Sequence, residues 1–212
     1  MRVGRILLFD WKAMGFNFYI PLLIMIFLYG YASLTGFTEN NFVPSISLAV
    51  PPLAAWWSIY LMQHLLEEQG GEVLFSYPIS IRILGLGRVL LFYLVFELAL
   101  FILILGVCSY QIGYAFNFFV QLSIQSLFFA SLGFMAMVYT KNTSWSLFIV
   151  ATYASTQILT NGIVMPLINV YFFRDRILLM EEIWGKLFII TLLSIGVLLT
   201  AQHSLNRTEK FK

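Results

Sequence analysis

Residues 67–80 read EEQGGEVLFSYPIS, from Glu67 to Ser80, and long apolar runs lie on both sides of them. Three carboxylates (Glu67, Glu68 and Glu72), two glycines and a Pro-x-Ser turn are gathered into this one polar connection. A chain of long apolar runs joined by short polar links reads as a bundle of membrane-spanning helices. In lipid, backbone N–H and C=O groups must be paired within the protein, so irregular segments belong at the surfaces.

Composition leads to the same class. The 212 residues are 60% hydrophobic and 10% charged, against about 25% charged in soluble domains. Mean hydropathy is +0.88. A soluble fold of this size could not hide so much apolar surface, so lipid is the expected solvent. The length suits one integral-membrane domain over residues 1–212, with no large external domain. A net charge of +2 does not suggest nucleic acid as a partner. The single cysteine, Cys108, excludes an internal disulfide and a multi-cysteine metal site. Lying in an apolar run, it reads as a buried, inert thiol. Arg2, Arg5 and Lys12 precede an apolar stretch without a small-x-small cleavage site, so no cleavable signal peptide is read here.

The hydropathy pattern predicts an all-α fold with six spans, near 17–36, 44–66, 86–110, 115–139, 145–168 and 186–204. Basic residues set the orientation. With the N-terminus in the cytoplasm, nine lie on the inner side (Arg2, Arg5, Lys12, Arg82, Arg88, Lys141, Arg207, Lys210 and Lys212). Three lie outside (Arg174, Arg176 and Lys186). This bias places both termini in the cytoplasm of a multi-pass protein of the cell membrane, with a bacterial plasma membrane as the expected setting. Residues 2–16 mix Arg2, Arg5 and Lys12 with Ile6, Leu7, Phe9, Trp11 and Met14, the pattern of an N-terminal interfacial helix. Residues 171–185 are too polar to span and too apolar to float, and read as an external interfacial or re-entrant segment.

Enzyme motifs are missing. There is no G-x-x-x-x-G-K-[ST] phosphate loop, no G-x-S-x-G elbow and no H-E-x-x-H pair. His64 and His203 read as packing or headgroup-level residues. The Glu67-Glu68 and Glu181-Glu182 pairs lack the arginine four residues on that a paired-glutamate intramembrane protease uses; Glu72 and Lys186 stand there instead. No catalytic, cofactor-binding or metal-binding residues are assigned. Glu97 is the one carboxylate deep in a predicted span, where an acidic side chain costs about 2.5–3.5 kcal/mol. It is expected to face protein or water, with Gln121, Gln125, Gln157 and Asn161 as candidate partners.

Within the central connection, Glu68 and Glu72 are four apart and share a face if the stretch is helical. Val73, Leu74 and Phe75 can rest on the bundle, and Pro78 should end the helix. The implied shape is a short helix across the inner mouth of the bundle, able to dock on a soluble partner and pass on a rigid-body push. At these residues the chain resembles the permease subunits of ABC-2 type transporters, a family of ATP-driven exporters. Glu72, Leu74, Pro78, Ser80, Gly87 and Arg88 fall at spacings matching the family pattern E-x-x-x-G-T-L-E-x-L-x-x-x-P-[VI]-S followed by Gly and a basic residue. The motif covers about 25 residues, and the layout of spans covers the whole chain. The departures are Gln69 where the family glycine usually stands, Gly70 and Gly71 after it, and no basic residue beside the first acidic group.

The resemblance implies a coupling helix over 67–80, with Glu67, Glu68, Gly71, Glu72, Leu74, Pro78, Ser80 and Arg88 as its coupling residues. It further implies two separate ABC ATPase subunits carrying ATP and Mg, and a second permease subunit making a homo- or heterodimer. This chain itself would hold no cofactor. The aromatic, weakly polar spans suggest an amphipathic or hydrophobic cargo: a peptide, drug or lipid-linked molecule. Two other readings compete. One is a small membrane enzyme acting on lipid or peptide through Glu97 and the inner-face carboxylates. The other is a non-catalytic assembly or immunity protein.

Overall fold

The computed structural model describes residues 3–35, 39–68, 82–107, 112–171, 177 and 180–209. Every regular element among them is a helix. The helices are α1 (Val3–Met14), α2 (Tyr19–Thr35), α3 (Glu39–Leu66), α4 (Arg88–Val107), α5 (Ile112–Thr140), α6 (Thr143–Leu159) and α7 (Met180–Glu209). A 3-10 turn, Gly15–Phe18, joins α1 to α2, and a π-helical stretch, Ile83–Gly87, leads into α4. Among the described residues five stretches are long and apolar enough to cross a membrane: Leu8–Leu34, Phe42–Leu66, Ile83–Val107, Ala115–Thr140 and Leu187–Arg207.

The expected span at 145–168 is the exception. α6 ends at Leu159 after 17 residues. At 1.5 Å per residue that is about 25 Å, short of the roughly 30 Å hydrocarbon core. The stop is local chemistry. Asn161 (φ +48°) and Gly162 (φ +74°) turn left-handed. The Gly162 N–H donates to Gln157 O at 3.0 Å and the Asn161 N–H to Ile158 O at 3.4 Å, the paired bonds of a Schellman cap. A Cβ on Gly162 would lie 1.7 Å from Asn169 Nδ2, so the position accepts only glycine. The chain then folds back on the bundle, and Asn169, Val170 and Tyr171 are buried. The expected interfacial segment at 171–185 is described in part: Tyr171 is core, and from Met180 on the residues belong to α7. Residues 172–176, 178 and 179 lie outside the described residues.

α5 is the central helix, packed on α3, α4, α6 and α7. It approaches α3 through Gly133, where a Cβ would stand 2.8 Å from Ala55 O. Small residues let membrane helices pack backbone to backbone, because burial from water no longer drives them together. Trp57, Phe92, Phe96, Phe118, Phe129 and Phe134 fill the interior. Phe27 (73% exposed) and Leu159 (82%) face outward, as a lipid-solvated surface allows.

α3 carries Pro44, Pro51 and Pro52 inside the helix. Proline has no N–H for the carbonyl four residues back. Pro52 thereby frees Leu48 O, and the Tyr171 hydroxyl reaches it at 3.5 Å. The backbone bond lost in the helix is replaced by a side chain from the returning segment.

Candidate functional site

The described flanks of the 69–81 segment lie at the bundle end where α3 stops and α4 begins. Each is fastened by charge. Glu67 sits against the start of α6: its Oε2 accepts from the Thr143 N–H at 2.8 Å and from the Thr143 hydroxyl, and its Oε1 accepts from Asn142 Nδ2 at 3.3 Å. A helix N-terminus presents unpaired N–H groups and the positive end of the helix dipole, so a carboxylate is favoured there. Asn142 completes the cap, its Oδ1 accepting from the Trp145 N–H at 3.0 Å.

Glu68 is paired with His64 one turn earlier, and the other ring nitrogen of His64 lies 2.7 Å from Ala13 O at the end of α1. Arg88 opens α4 and points into the protein, with 4% of its side chain exposed. Its Nε donates to Asp10 Oδ2 at 3.0 Å, and its Nη2 donates to Asp10 Oδ1 and, at 3.4 Å, to Leu61 O. Asp10 is fully covered. A two-pronged arginine–carboxylate pair is directional as well as strong. It locks α1 to α4 and touches α3.

The π-helical stretch before Arg88 packs on α7. The Leu86 N–H donates to Gln202 Oε1 at 2.8 Å. A Cβ on Gly85 would lie 2.5 Å from that oxygen, so the glycine is what lets α7 come so close. The N-terminal segment is riveted further by Trp56 Nε1 to Asn17 O (3.1 Å) and Trp57 Nε1 to Phe18 O (3.0 Å). The Phe18 and Trp57 rings stack with centroids 5.1 Å apart.

Of the residues expected in the coupling element, Glu67, Glu68 and Arg88 are thus placed at this end, and Arg88 is buried rather than presented outward. Gly71, Glu72, Leu74, Pro78 and Ser80 lie outside the described residues. Asp10 was not singled out from the sequence. Its signal was an unpaired acid on the apolar side of an amphipathic helix, between Phe9 and Trp11.

Glu97 meets different partners from those expected. The Ser123 hydroxyl donates to Glu97 Oε2, and Tyr93, one turn earlier on α4, donates to Ser123 O at 2.9 Å. Ser123 and Gln125 are two residues apart on α5, about 200° around the helix, so a carboxylate at one cannot reach the other. Gln121, Gln125 and Gln157 are buried elsewhere in the bundle, and Gln125 Nε2 donates to Val170 O at 2.9 Å. Asn161 is exposed in the turn that ends α6. Among the described residues no group of three or more His, Cys, Asp or Glu side chains could hold a metal ion. No protein-family model, curated protein or solved structure matches this chain.

Proposed function

We propose that the chain is the membrane subunit of an ATP-driven exporter of the ABC-2 kind. It would form half of a translocation path with a second permease subunit and be driven by two separate ATPase subunits. In this reading both termini are cytoplasmic, α1 lies at the inner headgroup level, and α6 with the returning segment serves as the sixth crossing. Residues 67–80 form the coupling helix. The cargo is amphipathic or hydrophobic.

The observation that carries the reading is mechanical. The flanks of residues 69–81 are tied to four helices at once: Glu67 to α6, Glu68 through His64 to α1, and Arg88 from α4 to α1 and α3. A displacement of that segment is therefore delivered to packed helices rather than absorbed by a slack loop. Such a lever is what biases a bundle between two discrete packings.

The test is the Glu72→Lys variant, co-expressed with its cognate ATPase. Reversing the charge of the docking face should abolish stoichiometric co-purification in mild detergent and lower ATP-driven transport at least about tenfold, as one mismatched interfacial charge can do. Membrane insertion should be unchanged. Transport by Glu72→Lys at the wild-type rate would overturn the docking model.

A further inference from the structure

A second group of buried polar side chains is spread over α3, α5 and α6. Gln125 and Ser126 on α5, Gln157 on α6 and Ser47 on α3 are each at most 1% exposed. Gln125 Oε1, Ser126 Oγ, Ser47 Oγ and both amide atoms of Gln157 have no hydrogen-bond partner among the described residues.

Helix registers bring the four residues to one level. Gly133 meets Ala55, and Glu67 just past the end of α3 meets Thr143 just past the end of α5, so α3 and α5 run in the same direction. Eight residues back along each helix, about 12 Å, stand Gln125 and Ser47. α6 runs antiparallel to α5 after the short Lys141–Asn142 link, and Tyr153 packs on Phe128 and Phe129 with ring centroids 5.4 and 5.7 Å apart. One turn beyond that contact, in the same direction, stand Gln157 on α6 and Gln125 on α5. Tyr171 closes the level, its ring 5.8 Å from that of Phe129 and its hydroxyl at Leu48 O. Pro51 also has no N–H to give to Ser47 O, its usual helical partner.

Unpaired buried polar groups are costly, and nature retains them where something else completes them. The chemistry here is specific. The four side chains are neutral, the hydroxyls and the Gln157 amide both donate and accept, and Phe129, Tyr153 and Tyr171 make an aromatic wall. An ion would be desolvated without a counter-charge. We propose that this cluster is a binding cell for one uncharged hydrogen-bonding group, an amide or hydroxyl borne by a solute moving through the bundle, with water supplying the same chemistry when no solute is bound. Only the solute's passage rests on the exporter reading above. The cell itself does not.

The test uses the purified full chain in nanodiscs, with Cys108→Ser as background. Ser126→Cys is compared with Leu122→Cys, an equally buried position one turn away on the same helix. Thiol reaction rates follow access and thiolate formation, both of which need a polar, solvated environment. Methyl methanethiosulfonate should label Ser126→Cys at least about tenfold faster than Leu122→Cys. Acetamide should slow the labelling of Ser126→Cys severalfold, while acetate leaves it unchanged. Protection by acetamide supports a solute site. Fast labelling without protection overturns the solute and leaves water as the occupant. Gln157→Met supplies an independent reading: loss of a bound partner lowers the melting temperature, whereas removal of an amide that was merely unpaired raises it. Equal labelling at the two cysteines with a higher-melting Gln157→Met would overturn the cell altogether. Since neither readout needs an ATPase, a failure of the exporter reading leaves them intact.

Discussion

Removing Asp10 should do more damage than its place in the N-terminal helix suggests. Its carboxylate is completely covered and takes two donors from Arg88, whose own side chain is 4% exposed. In Asp10→Ala a guanidinium remains buried, its one remaining hydrogen bond among the described residues being the 3.4 Å contact to Leu61 O. Breaking a buried pair from one side costs about 3–5 kcal/mol, because the orphaned charge keeps its desolvation penalty. At about 2–4 °C per kcal/mol for a chain of this size, the melting temperature should fall by roughly 6–20 °C. Replacing both members by apolar residues, Asp10→Leu with Arg88→Met, removes the charges together and should return stability to within about 1–2 kcal/mol of the parent. The assay is thermal unfolding in detergent followed by tryptophan fluorescence, with Trp11 reporting from α1 and Trp56 and Trp57 from the contact of α3 with the 3-10 turn after α1. Hydrogen exchange over residues 8–14 would show α1 leaving first. If Asp10→Ala melts within about 2 °C of the parent, less than one broken buried pair should cost a chain of this size, and α1 stays protected, then the pair does not hold α1. A double variant no better than the sum of the single ones would likewise refute the coupling.

Three further substitutions test single contacts. Glu67→Ala removes the acceptor that caps α6 and should cost about 0.5–2 kcal/mol, seen as faster hydrogen exchange at residues 143–146. Gly162→Ala puts a Cβ where Asn169 stands and requires a left-handed alanine; it should cost about 1–3 kcal/mol in melting experiments and loosen the returning segment. Gly133→Leu drives a side chain into the backbone of Ala55, which cannot yield. It should cost at least about 1–3 kcal/mol and lower the yield of folded protein in a fluorescence size-exclusion assay.

Much of the architecture was readable in one dimension. Hydropathy picked out the stretches that form α2 to α5 and the apolar body of α7, because a span must be a long unbroken apolar helix. It overran at 145–168, where the residues of the returning segment are themselves apolar, yet the Thr160-Asn161-Gly162 stop and Pro166 were written in the chain. Hydropathy averaged over a window does not register turn chemistry at a single tripeptide. A carboxylate inside a span, as at Glu97, is legible in the sequence, but its partner follows from helix rotation, which puts Ser123 and not Gln125 toward α4.

Composition and local pattern by themselves determined that this chain is an all-helical bundle of lipid-compatible spans, with a polar, acidic connection near its middle. Those features depend only on near neighbours along the chain and on the surrounding solvent. Pairing across the bundle was left to tertiary structure: Asp10 with Arg88 at a separation of 78 residues, Glu67 with Thr143 at 76 and Leu86 with Gln202 at 116. In a membrane interior one helix face competes with another by small differences in packing, because lipid is as apolar as leucine. Which face turns inward is therefore decided by close approach at residues such as Gly133 and by the few polar groups that must find one another.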